Sequence, residues 1–417
     1  MIILHLSTSV ISQSAAYRLH KGMLNLGLDS KILVAGNSID DPTVLKPIHK
    51  SEKIMNFLRQ KIETLPLKFY PERSGFPFSA AIVPNNVIGH ISTLNPSLVH
   101  LHWVCGGFLR IESLKQIARP IVWTLHDSWA FTGGCHLPFD CVRYRDGCKK
   151  CPVLNSSKEK DISSRVMKRK QKAWKSLNMT IVTPSKWLGE CARSSMLFNN
   201  NRIETIPNGI DTNIFKPIGR KMARKILSLP LDKKLVLFGA VNSTRDPNKG
   251  FRFLQQALKE INCKGLGDKV QIIVFGGLES EKFSDSGLKT TFLGRLHDDI
   301  SLAVLYSAAD VFVAPSIQEN LPNTVMEALA CGTPCVAFNI GGMPDMIEHQ
   351  RNGYLARPFE KNDLACGIDW VLGNDSRWQS MSHRAREKVE QEFDIKLIAG
   401  RYLKLYQDIL SQKPYGG

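Results

Sequence analysis

The strongest constraint on the fold is a double alternation of strand-like and helix-like segments. Short apolar runs, separated by segments with helical periodicity, fill the first 185 residues, and the same alternation restarts at residue 234. The strand-like runs are IILHLS (2–7), KILVAG (31–36), LVHLHW (98–103), IVWTLH (121–126), MTIVTPS (179–185), KLVLFGAV (234–241), VQIIVFGG (270–277), TTFLGR (290–295), DVFVAPS (310–316) and CVAFNI (335–340). Because strands that alternate with helices form parallel sheets covered by helices, the pattern predicts an α/β protein with two Rossmann-like domains.

A segment rich in Pro, Asn, Gly and Asp separates the two alternations and is the expected linker. It covers residues 206–219, so we expect an N-terminal domain over 1–205 and a C-terminal domain over 220–375. Residues 376–417 look helical and are expected to pack back in part on the first domain. A chain of 417 residues is too long for one hydrophobic core, which agrees with this division.

Positive charge is concentrated in the first half of the chain. Residues 1–205 contain 28 Lys and Arg against 14 Asp and Glu, whereas residues 206–417 contain 27 against 24. A one-sided basic half predicts an anionic partner. The chain has no zinc-finger, helix-turn-helix or RRM signature, so we do not expect nucleic acid, and an anionic membrane surface is the other candidate. Segments 51–69 and 158–177 carry basic and apolar residues at helical spacing, as interfacial helices do; the alternative for each is an apolar face turned to the core.

The sequence is typical of a cytoplasmic protein. No apolar run reaches membrane-spanning length, and the N-terminus MIILHLSTSV lacks the basic region and cleavage site of a signal peptide. The ten cysteines come without a secretory context, so reduced thiols are expected. Together with the basic half, this predicts a cytoplasmic protein that associates peripherally with the inner face of the plasma membrane.

Residues 310–340 predict a strand, a short helix and a second strand, with two acidic residues near the helix start. Asn323 is the expected N-cap of this helix, and Gly332 is the expected residue after its end. A helix that begins at the carboxyl end of a parallel strand offers its first amides to a phosphate. Glu319 precedes the helix and Glu327 lies inside it, where carboxylates can accept hydrogen bonds from sugar hydroxyls. The pattern favours a nucleotide-sugar site; the alternative is two surface glutamates beside an ordinary helix.

Several features, in this order, resemble family 4 of the retaining glycosyltransferases. They are the two Rossmann-like halves, IPNGID (206–211) in the expected linker, NSTRDPNKG (242–250) after the first strand of the second half, and E-x7-E running into EALACGTPCVA (327–337). The resemblance implies the GT-B fold, in which two Rossmann-like domains face each other across a cleft. It also implies a hexosyltransferase-type reaction that retains the anomeric configuration and needs no metal or other cofactor for catalysis.

The resemblance implies a donor site in the second domain. Arg245 and Lys249 match the pair that holds the donor diphosphate, Glu319 matches the residue that holds the transferred sugar, and Glu327 matches the residue that accepts the ribose hydroxyls. The residues expected around the phosphates are Asn320, Leu321, Asn323 and Thr324. Gly276 and Gly277 would let the backbone approach the nucleotide, and a plain tight turn is the alternative.

The acceptor is expected to bind the first domain. His126 in TLHD matches a family histidine close to the reacting carbon of the donor sugar; a structural histidine at a strand end is the alternative. Asp127, the next residue, is expected on the acceptor side. Many family members have a Gly-Gly loop after the first strand, but STSVISQSAAYR (7–18) contains no glycine. The hydroxyls of Ser12 and Ser14 are candidates to replace it.

Four cysteines lie within seventeen residues, as Cys135, Cys141, Cys148 and Cys151. The C-x2-C pair at the end is typical of a zinc knuckle, whereas the first pair is spaced too widely for a standard zinc ribbon. Similar HD-W-TG-C…GC-x2-CP segments occur in a subset of the family. A structural zinc ion that holds this loop beside His126 is the leading hypothesis; reduced buried thiols or a disulfide pair are the alternatives.

The resemblance therefore predicts an enzyme that transfers a sugar from a UDP- or GDP-sugar to a glycan, with a lipid-linked acceptor in bacterial surface polysaccharide assembly. O-antigen, capsule and exopolysaccharide pathways all fit. One alternative is a nucleotide-sugar epimerase on the same double-Rossmann plan, for which E-x7-E is not a signature. Another is a non-enzymatic protein that binds a polyanion through the basic half, which salt-sensitive nucleic-acid binding without nucleotide-diphosphate binding would favour.

Overall fold

The computed structural model describes residues 1–36, 39–46, 50–239, 246–276 and 287–412. Contacts divide the chain into two compact units. Unit 1 is Met1–Pro207 together with the chain from Ile398, and unit 2 is Asn208–Leu397. Among the described residues, none of the helices combines the length and the hydropathy needed to cross a membrane.

Unit 1 is built on a seven-stranded parallel sheet. Its strands are β1 (Ile2–Ser7), β2 (Asp29–Val34), β3 (Val44–Leu45), β4 (Leu98–Leu101), β5 (Ile121–Thr124), β6 (Met179–Thr183) and β7 (Ile203–Thr205). Its helices before the linker are α1 (Ala15–Asn25), α2 (Lys50–Thr64), α3 (Val87–Leu94), α4 (Ile162–Trp174) and α5 (Lys186–Arg193). The spatial order is β3-β2-β1-β4-β5-β6-β7. The order reverses between β1 and β4, and open α/β sheets bind ligands at the carboxyl ends of strands at such a switch point.

Unit 2 repeats this plan with six parallel strands. They are β8 (Lys234–Gly239), β9 (Val270–Phe275), β10 (Thr290–Phe292), β11 (Val311–Ala314), β12 (Cys335–Phe338) and β13 (Gly353–Ala356), in the spatial order β10-β9-β8-β11-β12-β13. The helices of this unit are α6 (Arg220–Ile226), α7 (Phe251–Ile261), α8 (Asp299–Ala308), α9 (Asn323–Ala330), α10 (Met343–Met346), α11 (Lys361–Leu372) and α12 (Asp375–Glu392). The last helix, α13 (Ile395–Ser411), begins in unit 2 and belongs from Ile398 onward to unit 1. The switch point lies between β8 and β11. It therefore brings together the loops that carry Lys249 and Glu319.

The predicted α/β class with two parallel sheets is confirmed. All ten predicted strands are present, and nine of them end two or three residues earlier than predicted because the chain leaves the sheet there to form the loops at its carboxyl edge. Strands β3, β7 and β13 were not predicted from the sequence. The first two contain only two and three residues, too few to show a period-2 pattern.

The C-terminal helices divide between the two units. α12 lies in unit 2, where Ala385 and Val389 are buried in the core and Arg386 donates hydrogen bonds to the carbonyls of Phe215 and Ala330. The chain from Ile398 onward belongs to unit 1. Unit 2 begins at Asn208, so the segment expected as a linker lies mostly inside it.

The two basic amphipathic segments behave in opposite ways. The apolar face of α4 lies in the core of unit 1, where Val166 and Trp174 are buried, and Arg169 pairs with Glu112. For this segment the structure therefore shows the alternative, an apolar face turned to the core. Helix α2 and the turn after it instead leave their large apolar side chains exposed. These are Ile54, Met55, Phe57, Leu58, Ile62, Leu65 and Phe69.

Candidate active site

The predicted donor-side residues lie in unit 2, and the predicted acceptor-side residues lie in unit 1. On the donor side, the Lys249 ammonium forms an ion pair with the Glu319 carboxylate. Ser316 donates a hydrogen bond of 3.1 Å to the same carboxylate oxygen. Both charged side chains are largely covered, with exposed fractions of 25% for Lys249 and 14% for Glu319. They line one small pocket together with Thr324.

The electrostatics of this pair favour a charged lysine. Burial disfavours the ammonium, but the adjacent Glu319 carboxylate outweighs it and raises the pKa of Lys249 above its ordinary value. Lys249 is therefore a cation at neutral pH. A cation beside a helix start is the arrangement that a diphosphate needs.

Asn248 fixes the loop that carries Lys249 against the loop that carries Glu319. Its side-chain amide donates to the carbonyl of Gln318 at 2.9 Å and accepts from the amide of Gln318 at 3.1 Å. Its backbone carbonyl accepts from the amide of Ile317 at 2.8 Å. Asn248 is only 4% exposed, so these hydrogen bonds are shielded from water. Asn248 was not predicted as a site residue from the sequence.

Two glycines permit the close approach of these loops. Gly250 has φ +68°, and a Cβ atom there would lie 1.7 Å from the carbonyl oxygen of Pro315. Gly341 has φ +51°, and a Cβ atom there would lie 1.9 Å from the carbonyl oxygen of Glu319. Only glycine fits at either position, because both the backbone conformation and the available space exclude a side chain. The 315–319 loop is thus approached closely by other main chain at Pro315 and at Glu319.

Helix α9 begins at Asn323, beside the ion pair. The prediction that Asn323 is the N-cap is wrong: Pro322 occupies that position, and the helix has no side-chain cap. Pro322 has an extended backbone with ψ 125°, and the helix starts at Asn323, one residue earlier than predicted. Asn208, from the IPNGID segment, donates its side-chain amide to the carbonyl of Leu321 and to Oδ1 of Asn323, both at 3.3 Å. Asn208 thereby positions the helix start.

The other predicted donor-side residues occupy different environments. Glu327 is 2% exposed and accepts a hydrogen bond of 2.9 Å from the hydroxyl of Tyr306. Leu321 is buried, Asn320 and Thr324 are partly exposed, and Gly276 has φ +71° and donates its amide to the carbonyl of Gly294 at 2.7 Å. Arg245 and Gly277 lie outside the described residues. The expected contact of Glu327 with ribose stays a prediction.

In unit 1, Asp127 is the centre of a hydrogen-bonded group. Its carboxylate accepts from Nδ1 of His136 at 2.7 Å, from the indole N–H of Trp103 at 2.9 Å and from the amide of Trp129 at 2.8 Å. Although burial opposes ionisation, the His136 ring and these donors together lower the pKa of Asp127. Asp127 is therefore a carboxylate that holds its own loop in place.

His126 stands at one end of a chain of histidines. Its Nε2 lies 3.1 Å from Nδ1 of His102, and Nε2 of His102 lies 2.9 Å from Nδ1 of His5. Nε2 of His5 is buried and has no hydrogen-bond partner among the described residues. Beside this chain, His100 contacts the hydroxyls of Tyr406 and Thr124 at 2.6 and 2.8 Å. The ligand atoms of His5, His100 and His102 lie within 4.8 Å of one another, but the ring nitrogens of His100 and His102 already form hydrogen bonds inside the protein.

Burial keeps these imidazoles neutral. It lowers the pKa of His126 to about 4, against the opposing effect of Asp127, and it lowers those of His5, His100 and His102 well below 6.5. His126 therefore acts at neutral pH as a hydrogen-bonding imidazole and not as a cation. The HLHW segment was predicted only as a strand, because the spacing of His100 and His102 in the sequence does not reveal a third histidine on a neighbouring strand.

The predicted serines lie in the loop before α1. Ser14 is the N-cap of this helix: its hydroxyl accepts from the amide of Tyr17 at 3.4 Å and donates to the carbonyl of Ile11 at 2.8 Å. Its hydroxyl is thus used in a local structural role. Ser12 is partly exposed, and its predicted contact with an acceptor stays a prediction.

The four cysteines of the 135–151 segment are free thiols that line one small cavity. The amide of Gly133 donates to the sulfur of Cys148 at 3.1 Å, and the thiols of Cys135 and Cys151 are hydrogen-bonded to each other. Cysteine sulfur is a preferred ligand of zinc, so four thiols around one cavity are the right type of ligand for this metal. Their spacing is wider than in a zinc-bound set, since no three of these four sulfur atoms lie within 4.8 Å of one another.

Lys170 stabilises the loop that follows His126. It is fully buried, donates to the carbonyl of Thr132 at 3.0 Å and to that of Trp129, and its ammonium lies 3.7 Å from the centre of the Trp129 ring. Burial lowers the pKa of Lys170 to about 7, although nearby cysteines oppose this. The loop that follows His126 is thus anchored by Asp127 and Lys170.

Comparison with known proteins assigns these two units to one family. The family model described as Glycosyltransferase Family 4 matches residues 13–214, and the model described as Glycosyl transferases group 1 matches residues 232–374. The chain is a member of the family 4 glycosyltransferases. One relative is the N-acetyl-alpha-D-glucosaminyl L-malate synthase of Bacillus anthracis, 26% identical over 223 residues. The match covers 52% of this chain and 56% of that protein, so the chain spans little more than half the length of this relative.

Solved structures place the chain in the GT-B fold of this family. Sucrose-phosphate synthase from Thermosynechococcus elongatus is 18% identical, with 99% of each chain covered and a TM-score of 0.69. HepE from Anabaena, solved in complex with UDP, is 17% identical, with 98% of this chain and 100% of that chain covered and a TM-score of 0.63. HepE has also been solved with UDP-glucose. At these identities the likeness concerns the fold alone.

Proposed function

We propose that this protein is a retaining glycosyltransferase that transfers a sugar from a nucleotide-diphosphate-sugar to a glycan acceptor. The observation that carries the proposal is the ion pair of Lys249 and Glu319 beside the start of α9, at the switch point of the second sheet. A cation and a helix start suit a diphosphate, and a carboxylate beside them suits the hydroxyls of a sugar. The complexes of HepE with UDP and UDP-glucose support a uridine nucleotide as the first donor to test.

The donor would replace the internal ion pair with new contacts. Lys249, with Arg245 as its family partner, would hold the diphosphate near the first turn of α9. Glu319 would then accept hydrogen bonds from the transferred sugar, and Glu327 from the ribose. Asn248 and Asn208 would keep these loops in position, because each joins segments that are distant in sequence.

The reaction needs stabilisation of the leaving diphosphate. The bond between the anomeric carbon and the phosphate oxygen breaks, a bond from the acceptor oxygen to that carbon forms, and the hydroxyl proton of the acceptor passes to the diphosphate. Lys249 and the helix start would stabilise the developing negative charge by preorganised electrostatics, without a catalytic metal. The neutral His126 would form a hydrogen bond near the reacting carbon and add no positive charge to an oxocarbenium-like centre.

The exposed apolar side chains of α2 support the proposal that the acceptor lies at a membrane. Seven large apolar side chains of α2 and the following turn are exposed, and Arg59, Lys61 and Lys68 lie among them in sequence. Such a surface suits the interface of an anionic leaflet. We therefore place the protein peripherally on the inner face of the plasma membrane, with a lipid-linked glycan acceptor in bacterial surface polysaccharide synthesis.

A ligand screen tests the donor half of this proposal. Calorimetric titration with UDP, GDP and ADP, each alone and as a hexose conjugate, is expected to give micromolar binding to one base class and weaker binding to the others. A transfer assay with the binding donor and a polyprenyl-linked glycan follows. No binding to any nucleoside diphosphate, together with salt-sensitive binding to nucleic acid, would overturn the proposal.

A further inference from the structure

Helix α2 contacts its own domain through polar side chains. The side-chain amide of Asn56 donates to the carbonyl of Ala35 at 2.6 Å, and Glu63 accepts from the amides of Ala81 and Ile82. Arg59 donates to Oδ1 of Asn56 at 2.7 Å. A cavity lies between α2, α3 and the carboxyl ends of β2 and β3.

This cavity has a volume of about 840 Å³. That size falls in the range of about 300–1,000 Å³ that small-molecule sites occupy. Its walls are mainly apolar, with contributions from Leu33, Val34, Leu45, Val87, Leu94 and Phe108. Met55 lines it and is also nearly half exposed, so the apolar wall continues onto the outer surface of α2. A hydrocarbon chain could therefore pass from a membrane interface into the cavity along apolar surface.

Polar groups lie at one part of the lining. Nδ2 of Asn85 is buried and, among the described residues, has no hydrogen-bond partner. Arg59 lines the cavity and, in the described part of the chain, contacts Asn56 rather than a carboxylate. The acids of the lining are already engaged: Asp41 accepts from Tyr17 at 2.8 Å and from Thr43, and Asp40 lies 3.6 Å from Lys46. Arg59 and Asn85 therefore offer a guanidinium and a buried amide N–H to the cavity, and both groups suit phosphate oxygens.

We propose that this cavity binds a lipid phosphate, with its hydrocarbon chain against the apolar wall and its phosphate or diphosphate near Arg59 and Asn85. The proposal names the chemical class of the acceptor and so rests on the proposed function. The cavity is formed entirely within unit 1 and shares no residue with the Lys249–Glu319 pocket. Lipid and nucleotide binding can therefore be measured separately.

The test is calorimetric titration of the full chain with farnesyl diphosphate, a soluble lipid diphosphate, in excess UDP to occupy any diphosphate site in unit 2. We expect micromolar binding that is at least about tenfold weaker for Leu94→Trp, which fills the cavity, and for Arg59→Gln, which removes the cation. Leu26→Ser, at an exposed residue after α1 that does not line the cavity, is the control and should bind farnesyl diphosphate as the parent does. Because Leu94→Trp can disturb folding, Arg59→Gln is the second, conservative variant, and the unfolding temperature of each is recorded.

Comparison ligands separate the chain from the phosphate. Dodecyl phosphate should bind within about tenfold of farnesyl diphosphate if the site accepts lipid phosphates as a class, whereas farnesol and inorganic pyrophosphate should each bind much more weakly. Pyrophosphate as tight as farnesyl diphosphate, or binding unchanged in both cavity variants, would overturn the proposal. UDP binding without lipid-phosphate binding refutes this site alone, and lipid-phosphate binding without nucleotide binding refutes the proposed transfer reaction alone.

Discussion

Lys249 and Glu319 form an ion pair across two loops that are 70 residues apart in the sequence. Neither loop carries the site alone, and the switch point of the second sheet brings them together. We expect Lys249→Ala and Glu319→Ala each to lower kcat/KM for transfer at least about a hundredfold, which corresponds to about 3 kcal/mol of transition-state stabilisation. Both variants should keep their unfolding temperature within a few degrees.

The matched control is Lys259→Ala, an exposed lysine on α7, which should transfer sugar at the parent rate. Nucleotide titration separates diphosphate binding by Lys249 from sugar binding by Glu319. Lys249→Ala should weaken the binding of UDP itself, whereas Glu319→Ala should weaken the binding of the UDP-sugar more than that of UDP. Full activity in either variant would overturn the site.

Gly250 offers a stability test of how the two loops meet. A Cβ atom there would lie 1.7 Å from the Pro315 carbonyl oxygen, whereas Gly265, with a similar positive φ, has open space around it. We expect Gly265→Ala to cost about 1–2 kcal/mol of unfolding free energy from backbone strain alone. Gly250→Ala should lower the unfolding free energy by more, about 3 kcal/mol or above, and should also weaken binding of the donor. Equal losses, measured by chemical denaturation, would show that the close approach to Pro315 does not matter.

The sheets were predictable from the sequence, and the family resemblance pointed to Lys249 and Glu319, but neither revealed the contacts that position these two residues. Alternation along the chain is a local signal, so the strands were recognisable. Asn248 and Gly341 act through backbone groups of the 315–319 loop, and no local pattern reveals a partner so distant. The sequence also did not show whether the apolar face of α2 is buried or exposed. An amphipathic pattern identifies the two faces of a helix but does not say which one the protein covers.

Acid should destabilise unit 1 through its buried histidines. Burial lowers the pKa of His126 and of His20 to about 4, and it places those of His5, His100 and His102 well below 6.5. The unfolded chain therefore binds protons that the folded chain excludes, so stability is complete above about pH 6.5 and is lost as pH falls toward 4. For a fully buried histidine such as His20 the loss is about 1–2 kcal/mol at pH 5.

Thermal unfolding from pH 8 to pH 4.5 measures this effect. The unfolding temperature of unit 1 should be nearly constant above pH 7 and should fall steadily below pH 6.5. Asp41 beside His20 and Asp127 beside His126 oppose the shifts and do not reverse them. The exposed His90→Asn variant should give the parent profile. An unfolding temperature that stays level or rises between pH 7 and pH 5 would contradict the expectation.

The cysteine segment makes a prediction about metal content. Protein purified without chelators is expected to contain about one zinc per chain, because four thiols line one cavity and the amide of Gly133 faces the sulfur of Cys148, as outer-shell donors do in metal–thiolate sites. Binding would draw the sulfurs together to distances compatible with Zn–S bonds of about 2.3 Å. Cys148→Ser should lower the zinc content and the unfolding temperature, whereas the exposed Cys263→Ser should change neither. Less than half an equivalent of zinc would defeat the idea.

The outward apolar face of α2 predicts binding to anionic membranes. Phe57 and Ile62 are 59% and 44% exposed, and burying each in an interface would contribute about 1 kcal/mol or more. We expect co-sedimentation with vesicles containing phosphatidylglycerol to fall at least about tenfold for the Phe57→Ser/Ile62→Ser double variant. Ile300→Ser, at a 71% exposed apolar residue of unit 2, is the control and should bind as the parent does.

The basic side chains of the same surface predict that this binding depends on salt. Because Arg59, Lys61 and Lys68 accompany the apolar side chains, membrane binding should weaken as the salt concentration rises. Equal binding to neutral and anionic vesicles would rule out an electrostatic contribution, and the positive charge of unit 1 would then have no role in membrane binding.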